Sequence, residues 1–169
     1  QLTDRQVTVR NADEFRAQLR ILDAAGVGVI LCRTREPYRA VEAVKVHAFS
    51  RQNMEFANWT PMYGWETYSR TNPLEAPKAD GVASPVDALR KMNETEAPFK
   101  NGFYTFNFPH FWLKESVGQR VPMIFCLKEY TRLFSESRRR LILLAPVGYS
   151  LPQELSEDVV ILDFDSPSY

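Results

Sequence analysis

The chain has 169 residues, 44% of them hydrophobic and 25% charged, and its 21 basic residues balance 21 acidic ones for a formal net charge of zero. That length supports one domain with its own core, and the charge balance excludes a global pull toward nucleic acid or an anionic membrane. No apolar run approaches the ~20 residues of a membrane span, and Cys32 and Cys126 sit on apolar runs as reduced core thiols, which fits a cytoplasmic setting.

Residues 1–10 are polar and alternating and read as a tail or an extra strand. Asn11 or Asp13 caps a helix that runs to about Ala25 with Phe15, Leu19 and Leu22 on one face, and Gly26 ends it. An apolar strand follows at 27–33. Pro37 suits the first turn of a second helix, which carries Ala40, Val41, Val44 and Ala48 and reaches about Arg51. His47 reads as a surface or half-buried residue of that helix. Met62 to Tyr68 reads as a second strand and 70–83 as a loop. Ser84 caps a helix starting at Pro85. Gly102 to Phe108 is a third strand, broken by Pro109. Val121 to Ser137 is a helix, and apolar strands four and five lie within 138–146 and at 159–164. Strands alternate with helices, and several strands are continuously apolar. The expected fold is therefore an α/β three-layer sandwich around a mainly parallel five-stranded sheet, in a single domain spanning 1–169. The missing initiator Met, and an end just beyond a strand, read as one domain taken from a longer protein.

In such a sheet ligands sit beyond the carboxyl ends of the strands. After the first strand a phosphate loop needs closely spaced glycines, a Lys and a Ser or Thr. The stretch Arg33-Thr34-Arg35-Glu36-Pro37 offers no glycine. Arg33, Arg35 and Arg39 remain candidates for an anion at the helix start, with a Glu36 ion pair as the simpler reading. The third strand ends in Asn107, an uncharged amide where Mg²⁺ chemistry wants an acid, and His110 alone completes no metal site. With two histidines and no Ser-His-acid set in register, a hydrolytic triad has no support. Trp65 and Glu66 end the second strand without a partner acid. Arg138, Arg139 and Arg140 read as a solvated helix end, or else as a contact for nucleic acid or an acidic partner. Phe111 and Trp112 leave the sheet after Pro109 and either cap the core or form a contact patch.

Several segments, taken in order, resemble the N-terminal domain of bacterial, phage and plastid AAA+ ATPases that carry an FtsH-like C-terminal AAA module. "CRTREPYRA" supplies Thr34, Glu36 and Arg39; "MYGWET" supplies Tyr63, Trp65 and Glu66; "SPVDALRKM" matches a short Pro-x-x-Ala-Leu helix. "TFNFPHFWL" keeps Phe108 and the aromatic cluster but has Asn107 in place of an Asp. The closing "LILLAPVGYSLPQELSEDVVILDFDSP" is the most specific stretch. The resemblance implies a P-loop-type sheet that has lost its phosphate loop, with strands three and four on either side of the first. It implies no catalytic, cofactor or metal residue in this chain. ATP and Mg²⁺ would belong to a module beyond Tyr169, in a parent that assembles as a homo-oligomeric ring. The domain's role would be contact with a substrate or partner protein, or ring assembly. His110, Phe111 and Trp112, with Tyr38 and Trp65, outline the expected partner surface. The rival reading is a nucleotide- or nucleic-acid-binding domain that uses Arg33, Arg35, Arg39 and Arg138 to Arg140.

Overall fold

Residues 6–94 and 96–165 of the computed structural model are described here. In chain order they form β1 (Gln6–Val9), α1 (Ala12–Ala24), β2 (Val29–Thr34), α2 (Pro37–Phe49), β3 (Glu55–Thr60), β4 (Gly64–Thr67), β5 (Lys78–Ala79) and α3 (Pro85–Lys91). There follow β6 (Gly102–Asn107), a 3-10 turn (Pro109–Phe111), α4 (Arg120–Leu133), β7 (Arg139–Ala145), α5 (Gln153–Ser156) and β8 (Val160–Phe164). Helix starts follow local chemistry. The Asn11 side chain accepts from the Glu14 amide at 2.9 Å, Ser84 accepts from Asp87 at 3.3 Å, and Pro37 occupies the first turn of α2. Gly26, at φ +74, reverses the chain after α1.

Among the described residues the strands make one eight-stranded sheet, ordered β1-β8-β2-β7-β6-β3-β4-β5. The pairings from β1 through β3 are parallel, and β3–β4 and β4–β5 are antiparallel. On one face α1 and α2 pack Phe15, Leu19, Val44 and Ala48 against Ile30, Cys32, Ile142, Leu144 and Leu162. On the other, α3, α4 and α5 pack Leu89, Leu127 and Leu155 against Leu31, Tyr104, Leu141 and Leu143. Alternate residues of β2 and β7 thus enter opposite cores, which is why Val29–Cys32 and Leu141–Ala145 are continuously apolar.

The α/β three-layer class stands, with corrections in detail. The sheet has eight strands rather than five. Residues 6–9 are an extra parallel strand, whereas residues 1–5 lie outside the described residues. The expected strand at 62–68 is the second arm of a hairpin, and its first arm, β3, is the strand that pairs with β6. β2 is flanked by β7 and β8, and β6 lies one strand further out. Aromatic packing accounts for the outer position of β6, since Phe106 stacks on Trp59 of β3 at 4.3 Å. The helix before β7 ends at Leu133, and Arg139 and Arg140 belong to the strand rather than to a solvated helix end. Arg140 is buried, with Nε 2.9 Å from the buried Asp23 carboxylate, and Asp23 also pairs with Arg51. His47 is likewise buried, edge-on to Phe103 at 5.0 Å, with Nε2 unpartnered.

Candidate functional site at the carboxyl edge of the sheet

Register places the ends of the parallel strands together. Thr34 pairs with Phe164, Arg33 with Ala145, Asn107 with Leu144, and Trp59 with Phe106. The connections leaving these strands therefore crowd one edge, where an α/β sheet presents its ligand site.

The connection after β2 is short and glycine-free. The connection to α2 is Arg35-Glu36; the Glu36 amide donates to Thr34 Oγ1 at 3.0 Å, and Pro37 has no N–H. Arg33 lies over the strand ends with both edges of its guanidinium engaged. Nε donates to Asp163 Oδ1 at 2.5 Å, Nη2 to Oδ2 at 2.8 Å, and Nη1 to the Tyr149 carbonyl at 3.0 Å. Gln6 Nε2 adds a bond to Asp163 Oδ2 at 2.8 Å. The hydrogen bond to Asp163 raises the Arg33 pKa, and the same bond holds the Asp163 carboxyl below the usual range. An internal carboxylate thus takes the bidentate donor that an external anion would need.

At the tip of β6, Asn107 closes a buried polar network. Its Nδ2 donates to Asn58 Oδ1 at 2.7 Å and to the Trp59 carbonyl at 2.8 Å, and Thr105 donates to Asn58 Oδ1 at 2.6 Å. The network is structural and holds no titrating group. No group of three or more His, Cys, Asp or Glu among the described residues could hold a metal ion. The next residue, Phe108, adopts left-handed backbone at φ 63, ψ 41. For a bulky side chain that conformation is costly, on the order of 1–3 kcal/mol. It turns the chain out of the sheet into Pro109–Phe111. There Phe108, His110, Phe111 and Tyr149 form a ring cluster, with His110 4.3 Å from Phe111 and 5.8 Å from Tyr149. Burial, with Lys114 nearby, lowers the His110 pKa and favours the neutral imidazole.

The five aromatic residues singled out in the sequence separate here. Tyr38, 91% exposed, and Phe111, 51% exposed, stand at the edge; His110 is half-buried beside Phe111. Trp112 turns inward, edge-on to Trp59 at 5.5 Å, and covers the core. Trp65 is fully buried, with Nε1 donating to the Ala88 carbonyl, and is corrected out of any contact surface. The arginines separate too. Arg33, Arg35 and Arg39 lie at the carboxyl edge, with Arg35 3.9 Å from Asp165 and Arg39 3.2 Å from Glu36. Arg138 just before β7, and Arg139 and Arg140 at its start, lie at the opposite edge. There Arg138 donates to the Gln52 carbonyl and Arg139 to the Met92 carbonyl. The two groups share no face. Sequence reasoning missed Met62 and Tyr63, 77% and 49% exposed at the β3–β4 turn, and Val147 after β7. Pro61 and Gly64 were the available turn signals for the first pair.

One family model covers residues 15–164 of the chain, that of the SpoVK-like AAA ATPase N-terminal domain. The chain belongs to that family. The match begins and ends on residues that touch, since Phe15 stacks on Phe164 at 4.8 Å. It spans both cores and every strand of the sheet except β1. The expectation of an AAA ATPase N-terminal domain is thereby met. A search of curated proteins finds no match. No helix among the described residues is long and apolar enough to cross a membrane.

Proposed function

We propose that this domain is the non-catalytic, protein-contacting N-terminal part of an AAA ATPase, serving substrate or partner recognition or ring assembly. A separate module, FtsH-like in the sequence resemblance, binds ATP and Mg²⁺ and hydrolyses the nucleotide, in the cytoplasm and within a ring of identical subunits. The observation that carries this reading is the Arg33–Asp163 pair at the end of β2, with a glycine-free connection behind it. Together they fill the place of a phosphate site with the protein's own charges. What the edge offers instead is aromatic and apolar surface: Tyr38, Phe111 and, half-buried, His110. A protein partner ranks ahead of nucleic acid because the arginines divide between opposite edges. Nucleic-acid affinity needs phosphate contacts along one face and falls steeply with salt.

Calorimetric titration of the chain with Mg-ATP tests the reading, and the expected result is no saturable heat in the micromolar range. Micromolar binding that Arg33→Ala abolishes would overturn it. Deletion of the domain from the parent is expected to leave basal ATP hydrolysis and to remove its stimulation by substrate protein or its assembly.

A further inference from the structure

We propose that the carboxyl edge is the face by which this domain docks onto the AAA module following it in the same polypeptide; this rests on the reading above and names the partner. Exposed large hydrophobic side chains stand where β2, β3, β6 and β7 leave the sheet at this edge: Tyr38 in the first turn of α2, Met62 with Tyr63, Phe111 and Val147. At the opposite edge one connection, that between β4 and β5, carries an exposed large hydrophobic side chain among the described residues, Leu74; Met54, Phe99 and Phe134, the other large apolar groups there, are buried. A concentration of apolar groups on one edge marks an interaction surface.

The route of the chain says what covers it. β8 runs parallel to β2, and Phe164 is in register with Thr34, so the last strand delivers the polypeptide to this same edge. Asp165 already lies 3.9 Å from Arg35 of the β2–α2 connection. A module tethered there by a short linker sits at an effective concentration on the order of millimolar. An apolar contact of only millimolar intrinsic affinity is then occupied about half the time, whereas an untethered partner at micromolar concentration would leave it empty. The strained Phe108 supports the same assignment. It fixes the outgoing turn, its ring lies 5.8 Å from Phe111, and it holds the contact residue in place before any partner arrives.

The test uses the full-length parent ATPase and a lysine-reactive cross-linker, with oligomers mixed from light and heavy isotope-labelled chains. Lys114, whose Nζ is 5.8 Å from the Phe111 ring, is the reporter. The expected result is cross-links from Lys114 to the following module within one isotope class, reduced at least ~10-fold in Met62→Ser/Phe111→Ser/Val147→Ser. Phe125→Ser, 73% exposed on α4 and off this edge, leaves them unchanged. If the triple variant melts early, Met62→Ser and Val147→Ser are read singly, with about threefold loss expected from each. Cross-links that survive the substitutions overturn the proposal. So do cross-links that join only light to heavy chains, which assign the edge to a second copy, or that reach only a bound substrate protein. A parent without an AAA module, or Mg-ATP bound at Arg33, would instead remove the underlying function.

Discussion

Asp23→Ala attacks the charge network that closes the amino edge of the sheet. Asp23 and Arg140 side chains are each 7% exposed, and their Nε–Oδ1 contact is 2.9 Å. The Arg140 guanidinium is otherwise surrounded by carbonyls, with Nη1 donating to Phe134, Ser137 and Arg139 at 2.6, 2.9 and 2.8 Å. Those dipoles leave Asp23 as its buried counter-charge. Burial already lowers the Arg140 pKa, a sign of how poorly the site tolerates the cation. Removing one member of a buried pair costs about 3–5 kcal/mol, because the other charge stays behind without compensation. The second contact of Asp23, to Arg51, adds at most about 1 kcal/mol, since that side chain is 39% exposed and screened. Against a whole-domain stability of about 5–15 kcal/mol the loss is large. In thermal unfolding it corresponds to a Tm drop of about 6–20 °C. Urea denaturation monitored by tryptophan fluorescence and by circular dichroism measures it. Asp23→Ala combined with Arg140→Met is expected to recover more than half of the loss, because the stranded charge leaves with its partner. A single-variant cost under about 1 kcal/mol, or a double variant that merely sums the two, would refute the reasoning.

Burial holds the His47 pKa below its ordinary 6.5, so as the pH falls the unfolded chain takes up a proton first. Stability from this group is full above about pH 6.5 and is lost as pH falls from there toward the folded pKa; urea midpoints should fall less steeply in His47→Leu than in wild type, with the residual slope from His110, which is shifted the same way. Equal slopes in the two proteins would exclude His47 as the source. Gly64→Ala should cost more than about 1 kcal/mol, because the residue sits at φ +73 and a Cβ would fall 2.3 Å from Asp80 Oδ1 and 2.4 Å from the Val82 amide; unchanged denaturation would mean that the hairpin tip rearranges freely. Phe108→Gly should change stability by no more than about 1 kcal/mol, since release of the left-handed backbone offsets the lost ring contacts. A loss above about 2 kcal/mol would make the ring a structural support rather than a held contact.

Helix starts and buried strands were legible because their chemistry is local. Asn11, Pro37 and Ser84 carry their capping roles in their residue type, and β2, β7 and β8 are apolar runs that need two covered faces. Strand order was not legible in the same way. It depends on which strand β6 packs beside, and that choice is made by Trp59 stacking on Phe106 across 47 positions of chain. The Arg138 to Arg140 run failed for a related reason. A run of cations reads as solvated until a carboxylate from a distant helix, Asp23, is brought beside it. Nor does the sequence mark Arg33 as occupied, since its partner Asp163 is 130 residues away.

The contact surface was partly legible, and the part that was missed traces to one strand. In a parallel sheet every strand leaves at the same edge, so the edge on which a connector lies follows from counting strands correctly. Reading Met62 to Tyr68 as one strand, without Glu55–Thr60 before it, turned a hairpin tip at the carboxyl edge into the interior of an element. Met62 and Tyr63 then vanished from the surface, and Trp65, two residues on, was placed on it. The pleat explains the exchange. Trp65 faces Trp59 across the antiparallel pair and points into the core, where the Ala88 carbonyl accepts from its indole N–H. Tyr38 and Phe111 escaped this error because each follows a recognised parallel strand by only a few residues. Their edge could be assigned from the chain alone, whereas that of Met62 required the missing strand.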